Sequence, residues 1–217
     1  MIIVCIFTLI ATAGDKISKK IKKNKNPFHN PSNKLRIEKF DKIWEKKKFT
    51  LVLDLDGTLV YATRNRKTGL PKRVRVEKLT LPVVGDRSQS LYVYPRPHLD
   101  EFLSRLGEHF NLVVYTGSEP VYTETIVDHF DQWKVIQNVY NRDFCEIDGK
   151  NVKKNLHRLF PNNDLKNIIM IEDEPGVCLQ PDQCLRIPRW EGENTDDNIL
   201  KQITDCLIKA NGDAKNG

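Results

Sequence analysis

The sequence predicts an α/β fold: a mostly parallel, Rossmann-like sheet with helices on both faces and a small β insertion after the first strand. Two observations predict it. Apolar runs that read as strands alternate along the chain with stretches of helical spacing, the pattern of a sheet whose crossovers cover both faces. Three of those runs also end in acids or hydroxyls, and in such sheets ligands bind beyond the carboxyl ends of the strands.

The first strand lies at about 50–55, within "LVLDLDGTLV". Residues 61–90 are polar and basic, punctuated by Gly69, Pro71, Pro82 and Gly85. Within them "RVRVEKLTL" alternates, which predicts strands of a hairpin-like insertion. "SLYVYPRP" is a further strand closed by prolines. "HLDEFLSRLGEHF" has apolar residues at 99, 102, 103 and 106, one face of a helix. "NLVVYTG" reads as a buried strand, and "EPVYTETIVDHF" as a helix with an acidic first turn. "WKVIQNVY" is a strand, and "NVKKNLHRLF" starts another helix. "LKNIIMIEDEP" is a strand ending in acids, "CLRIPRW" a short strand, and "DDNILKQITDCLIKA" the final helix. The folded domain is expected over 49–211, with 212–217 a disordered tail.

The 217 residues carry a formal charge of +6, unevenly placed. Between Lys16 and Lys48 stand 13 Lys or Arg and only three acids, Glu38, Asp41 and Glu45, so the remainder is mildly acidic. With "NKNPFHNPSNK" inside it, and a short amphipathic helix in "LRIEKFDKIWEKK", 15–48 reads as a solvated basic linker. A surface for anionic lipid or nucleic acid is the sharper alternative. The apolar start, residues 1–14, is shorter than the roughly 20 residues that span a bilayer. Three readings of it stay open: a signal-like segment without a basic n-region, a membrane-dipping anchor, or a helix packed on the domain. Five cysteines, odd in number and without C-x-x-C spacing, argue against a zinc site and for reduced thiols in an intracellular protein.

The strand ends carry the chemistry. After "LVL" come Asp54, Asp56, Gly57 and Thr58; after "LVVY" come Thr116 and Ser118; after "IIMI" come Glu172, Asp173 and Glu174. An unpaired buried carboxylate costs several kcal/mol, so the cluster demands compensation. Hard oxygen ligands favour Mg²⁺, and Lys154 supplies a cation. Together these make a phosphoryl-transfer site. Asp54 is the expected nucleophile, passing through an aspartyl-phosphate, and Asp56 the general acid and then base. Gly57 permits the chain to reverse. Asp54, Asp56 and Asp173 are the expected metal set; Thr58, Thr116 and Lys154 the expected phosphate-binding groups.

The D-x-D-G-T-[LV] pattern resembles the first motif of the haloacid dehalogenase superfamily. Later segments are similar to the FCP-homology phosphatases, the small carboxy-terminal-domain and Dullard-like members among them. "YPRPHLDEFL" resembles their R-P-x-x-x-x-F-L segment, "LVVYTGSEPVY" their V-x-[FY]-T segment, and "YNRDFC" their R-x-x-C element. "KNLHRLFP" resembles their K-[DS]-L segment, which selects Lys154 over the adjacent Lys153. "IIMIEDEPGVCLQPDQCLRIPRW" resembles their I-[LI]-D-[ND]-S-P region and its tail. The resemblance covers about 49–209. It implies a dehalogenase-type sheet without a large cap, a Mg²⁺-dependent protein serine/threonine phosphatase, and Arg142 near the substrate phosphate. RNA polymerase II's C-terminal domain or a similar phosphoprotein is the implied substrate. Glu172 departs from the usual Asp, and Glu174 from the usual small or basic residue.

A catalytically inactive binding module, like mitochondrial import receptors of this fold, and a small-metabolite phosphatase are the alternatives. Both motif acids are present, against the first. Only about 60 residues separate Asp54 from Thr116, too few for a large cap, against the second. The expected partner is a phosphorylated protein, with weak membrane contact through the N-terminus, no direct nucleic-acid binding, and a monomeric state. The expected location is nuclear, cytoplasmic or membrane-associated.

Overall fold

The structure is a computed structural model and describes residues 47, 49–82, 89–149, 151–161 and 164–216. The apolar start and the helix expected within 35–47 lie, but for Lys47, outside them. In chain order the elements are β1 (Thr50–Leu53), β2 (Val60–Thr63), β3 (Glu77–Leu81), β4 (Gln89–Pro95), α1 (Leu99–His109), β5 (Asn111–Tyr115), α2 (Pro120–Phe130) and β6 (Ile136–Tyr140). Then come β7 (Glu146–Asp148), β8 (Asn151–Lys153), α3 (Leu156–Leu159), β9 (Ile168–Glu172), β10 (Cys184–Arg186) and α4 (Ile199–Asn216).

Five strands form one parallel sheet in the order β10-β9-β1-β5-β6, with β1 at the centre. The register sets Leu51 beside Leu112 and Ile169, and Val52 beside Val113 and Met170. Because side chains alternate along a strand, these rows face opposite ways. Leu51, Leu53, Leu112, Val114, Ile169 and Ile171 face a core completed by Phe102 and Leu106 of α1, Ile126 and Phe130 of α2, and Leu200, Ile203 and Leu207 of α4. Val52, Val113, Tyr115, Ile168 and Met170 face a second, smaller core closed by Leu156, Phe160, Tyr140 and Cys145. Both faces are therefore covered, but unequally: three long helices lie on one, and the four-residue α3 with the loops beside it on the other. Each fully buried Leu or Ile contributes about 1.5–3 kcal/mol, so the larger core dominates stability.

The insertion is a three-stranded antiparallel sheet, β2-β4-β3, and no large cap is present among the described residues. Three local expectations are corrected. Residues 151–153 do not begin a helix: Asn151–Lys153 pairs antiparallel with Glu146–Asp148, turning at Gly149 with φ +59°. The helix starts only after Asn155, whose side chain accepts from the His157 N–H and caps it. In α2 the acid is the N-cap residue Glu119, outside the first turn, because Pro120 takes the first helical position. The final helix also continues to Asn216 instead of giving way to a tail at 212, since Ala210 and Asn211 are buried and anchor its later turns. No helix among the described residues is long and apolar enough to cross a membrane.

Arg96 ties the insertion to the C-terminal segment. It is fully buried and donates to both carboxylate oxygens of Asp197 at 2.9 Å, and to the Thr58 carbonyl at 3.3 Å. Removing one partner of such a pair strands a buried charge. Asp197→Ala is expected to lower the unfolding free energy by about 3 kcal/mol in urea titrations. A loss under about 1 kcal/mol would show that Arg96 does not depend on this partner.

Candidate active site

β9, β1 and β5 lie side by side, so their carboxyl ends deliver three loops to one rim. Asp54 directly follows β1; its N–H donates to the Ile171 carbonyl at 3.0 Å, and its side chain is buried. Lys154, 3% exposed, donates to Asp54 Oδ1 and, at 2.7 Å, to Glu172 Oε2. Glu172 Oε1 accepts the backbone N–H groups of Asp173 at 3.1 Å and Glu174 at 3.0 Å. The glutamate thus ties the lysine to the turn after β9. Asp173 accepts from the Thr58 hydroxyl at 3.0 Å and from Arg189 at 2.7 Å.

Gly57 has φ +85°, and a Cβ there would lie 2.5 Å from Asp173 Oδ2. The position therefore requires glycine twice over, for the turn and for the close approach of Asp173. Asp56 is held differently. Ser118 donates to its Oδ2 at 2.6 Å, and the Tyr122 hydroxyl donates to its Oδ1. Thr116 is buried, and its hydroxyl oxygen accepts the Ser118 N–H at 3.2 Å. Arg142 packs on the same loop, with an N–H 3.4 Å from the Gly117 carbonyl and an ion pair to Glu119 at 3.8 Å.

Two of the expected site residues are held by neighbouring side chains. Thr58, an expected phosphate-binding residue, is fully buried, and its hydroxyl donates to Asp173. The carboxylates that cluster are Asp54, Glu172 and Asp173, with ligand atoms within 4.8 Å of one another. The Asp56 side chain is not among them, and two hydroxyls hold it. Ser118, Tyr122 and Arg189 have no role assigned from the sequence; the hydroxyl two residues beyond Thr116 is the available signal for Ser118.

Burial raises the Asp54 carboxyl above its ordinary range, with Lys154 opposing. Burial also raises Asp56, against its bonds from Ser118 and Tyr122. Glu172 is pushed up to about 7 by burial and then by the Asp54 charge, with Lys154 opposing. Burial works against the Lys154 charge, but Asp54 and Glu172 outweigh it and hold the lysine above its ordinary value. Four carboxylates (Asp54, Asp56, Glu172 and Asp173) face two cations, Lys154 and Arg189. Fully ionised, the rim lacks two positive charges. An all-oxygen set with that deficit fits a hard divalent cation such as Mg²⁺.

Residues 49–216 match the family described as NLI interacting factor-like phosphatase. The chain is 30% identical over 155 residues to a human CTD small phosphatase-like protein, covering 70% of this chain and 53% of that one. It is 33% identical over 164 residues to a probable C-terminal domain small phosphatase of Dictyostelium discoideum, covering 74% and 51%. The chain spans about half the length of these curated relatives. The fold is similar to that of the fission yeast RNA polymerase II CTD phosphatase Fcp1 bound to beryllium fluoride. That likeness has a TM-score of 0.56 at 23% identity, over 81% of this chain and 54% of that one.

The raised carboxyls make cation binding pH-dependent. A carboxyl whose folded pKa is raised costs stability as pH climbs from its unfolded value through the folded one. For Glu172 that window runs from 4.5 to about 7. A divalent cation relieves the cost above the window and competes with protons below it. Mg²⁺ is therefore expected to raise Tm more at about pH 7.5 than at about pH 5.5 in thermal scans. Equal shifts at both would contradict a metal held by these carboxyls.

Proposed function

The chain belongs to the NLI interacting factor-like phosphatase family, and we propose that it is a Mg²⁺-dependent protein serine/threonine phosphatase working through an aspartyl-phosphate on Asp54. The observation that carries this reading is the division of labour between two acids two residues apart. Asp54 is held by Lys154, while Asp56 is held apart by Ser118 and Tyr122. Lys154 engages Asp54 Oδ1, which leaves Oδ2 to attack phosphorus.

Asp56, with its carboxyl raised by burial, gives a proton to the departing seryl or threonyl oxygen. It then takes one from the water that hydrolyses the aspartyl-phosphate. Lys154 uses two of its three hydrogens on Asp54 and Glu172, leaving one for a phosphoryl oxygen. Thr116 accepts from Ser118 through its oxygen, so its hydroxyl hydrogen is free to point the same way. Asp54 and Asp173 would hold Mg²⁺ with their side chains, Glu172 standing beside them. Asp56 is left to proton transfer, since the carboxylates that cluster do not include its own. The cation supplies charge neutralisation at the phosphoryl group.

The proposed substrate is a phosphorylated serine or threonine on an extended protein segment. The small insertion supports this, as does the naming of relatives as CTD phosphatases. Arg142 is proposed to contact the substrate near its phosphate. Residues 1–48 are proposed to set location and to take no part in the chemistry. Deleting residues 1–33 should release the protein from anionic liposomes while leaving phosphopeptide turnover unchanged; an intact chain that ignores such liposomes at low salt would overturn this.

Asp54→Asn removes the attacking charge with almost no change of shape. Turnover of a phosphoserine peptide with Mg²⁺ is expected to fall at least a thousandfold, roughly the scale of removing a nucleophile, with an unaltered unfolding curve. Retention of a tenth or more of the rate would rule out Asp54 as the nucleophile.

A further inference from the structure

Arg189 is the cation at this rim that the phosphatase mechanism leaves unused. It stands between two pinned residues. The Ile187 N–H donates to the Glu172 carbonyl at 2.9 Å, and the Trp190 N–H donates to the Gly57 carbonyl at 2.7 Å. Trp190 is itself buried, with its indole N–H on the Tyr94 carbonyl at 3.0 Å. Pro188 stiffens the link between them. The backbone of Arg189 is therefore fixed against both motif loops, while its side chain remains 50% exposed.

Its guanidinium touches Asp173 through Nη1 alone, because the other Asp173 oxygen takes the Thr58 hydroxyl. A guanidinium has five N–H donors in a flat fork. Asp173, which it touches, offers a carboxylate oxygen within 4.8 Å of one of Asp54's, so the fork stands one residue away from the proposed nucleophile. Lys154 has only one hydrogen left for a phosphoryl oxygen, because Asp54 and Glu172 take the other two. A phosphate monoester arriving at Asp54 adds negative charge to a rim that a divalent cation would bring only to neutrality. A half-exposed fork with unspent donors meets that need, and its planar geometry suits phosphate oxygens.

We infer that Arg189 is a substrate phosphate-binding residue, anchored by one N–H on Asp173 and presenting its remaining donors to the phosphate at Asp54. This rests on the phosphatase reading of the same site. It is tested on the full chain, with inorganic phosphate as the calorimetric probe and p-nitrophenyl phosphate as the kinetic one, both in saturating Mg²⁺. Arg189→Gln is expected to weaken phosphate binding about tenfold and to raise KM by a similar factor, with kcat within about twofold, as loss of a charge-assisted contact made equally in ground and transition states requires. Arg189→Lys should recover part of the affinity, since it restores the charge but not the fork.

Calorimetry with Mg²⁺ alone separates this from a role confined to Asp173. Unchanged phosphate affinity and KM in Arg189→Gln, with altered Mg²⁺ affinity, would overturn the inference, as would a wild-type chain that does not bind phosphate. If the wild type binds phosphate through Arg189 but hydrolyses no phosphate ester, the phosphatase reading fails and the binding assignment stands.

Discussion

The rim depends on one buried ion-pair arrangement, Lys154 between Asp54 and Glu172. A lysine in an apolar interior sheds its proton unless opposite charge holds it. Two carboxylates do so here, and the lysine in turn makes their own burial tolerable. At an effective dielectric of about 20, unit charges about 4 Å apart attract by about 4 kcal/mol, and the Lys154–Glu172 pair at 2.7 Å is closer, so desolvation is offset as long as the geometry is kept. The backbone keeps it. The Lys154 N–H donates to the Val177 carbonyl at 2.8 Å, and its own carbonyl accepts from Leu179 at 2.9 Å. Lys154 is thus laced to the segment after β9, which also carries Asp173.

That constraint explains two departures from simple pattern. The chain before Lys154 is a hairpin, which delivers the residue to its bridge with Cys178 before α3 begins. Glu172 is one methylene longer than aspartate. Its two oxygens reach both the lysine and the N–H groups of Asp173 and Glu174. The side chain therefore shapes the turn as well as pairing the cation. Asp56 is kept out of this network by hydroxyls from the loop after β5 and from α2, so the two motif acids occupy electrostatically distinct places only two residues apart.

Much of this is legible in the sequence, for physical reasons. The strands that build the centre of the parallel sheet are buried on both faces, so "NLVVY" and "IIMI" are continuous apolar runs. Acids at the ends of such runs have few structural uses, which singles out Asp54, Asp56 and Asp173. What stays hidden depends on contacts between distant parts of the chain. Thr58 stands in the motif, but its bond to Asp173 crosses 115 positions, and local pattern does not show that its hydroxyl is spent there. The Tyr122 bond to Asp56 and the Arg189 bond to Asp173 are hidden likewise. The β7–β8 hairpin escapes a periodicity argument because "NVKKNLHRLF" mixes a strand, a bridge and one turn of helix, each too short for any period to emerge.

The central claim is that Asp54 forms a covalent bond to phosphorus. The most direct measurement is to quench Asp56→Asn in acid during turnover of p-nitrophenyl phosphate with Mg²⁺, whose leaving group departs without a proton, reduce with borohydride, and map the product by mass spectrometry. Slowed hydrolysis should let the acyl phosphate accumulate, so that Asp54 is recovered as homoserine. Reduction at another residue, or none while substrate is still being consumed, would contradict the account.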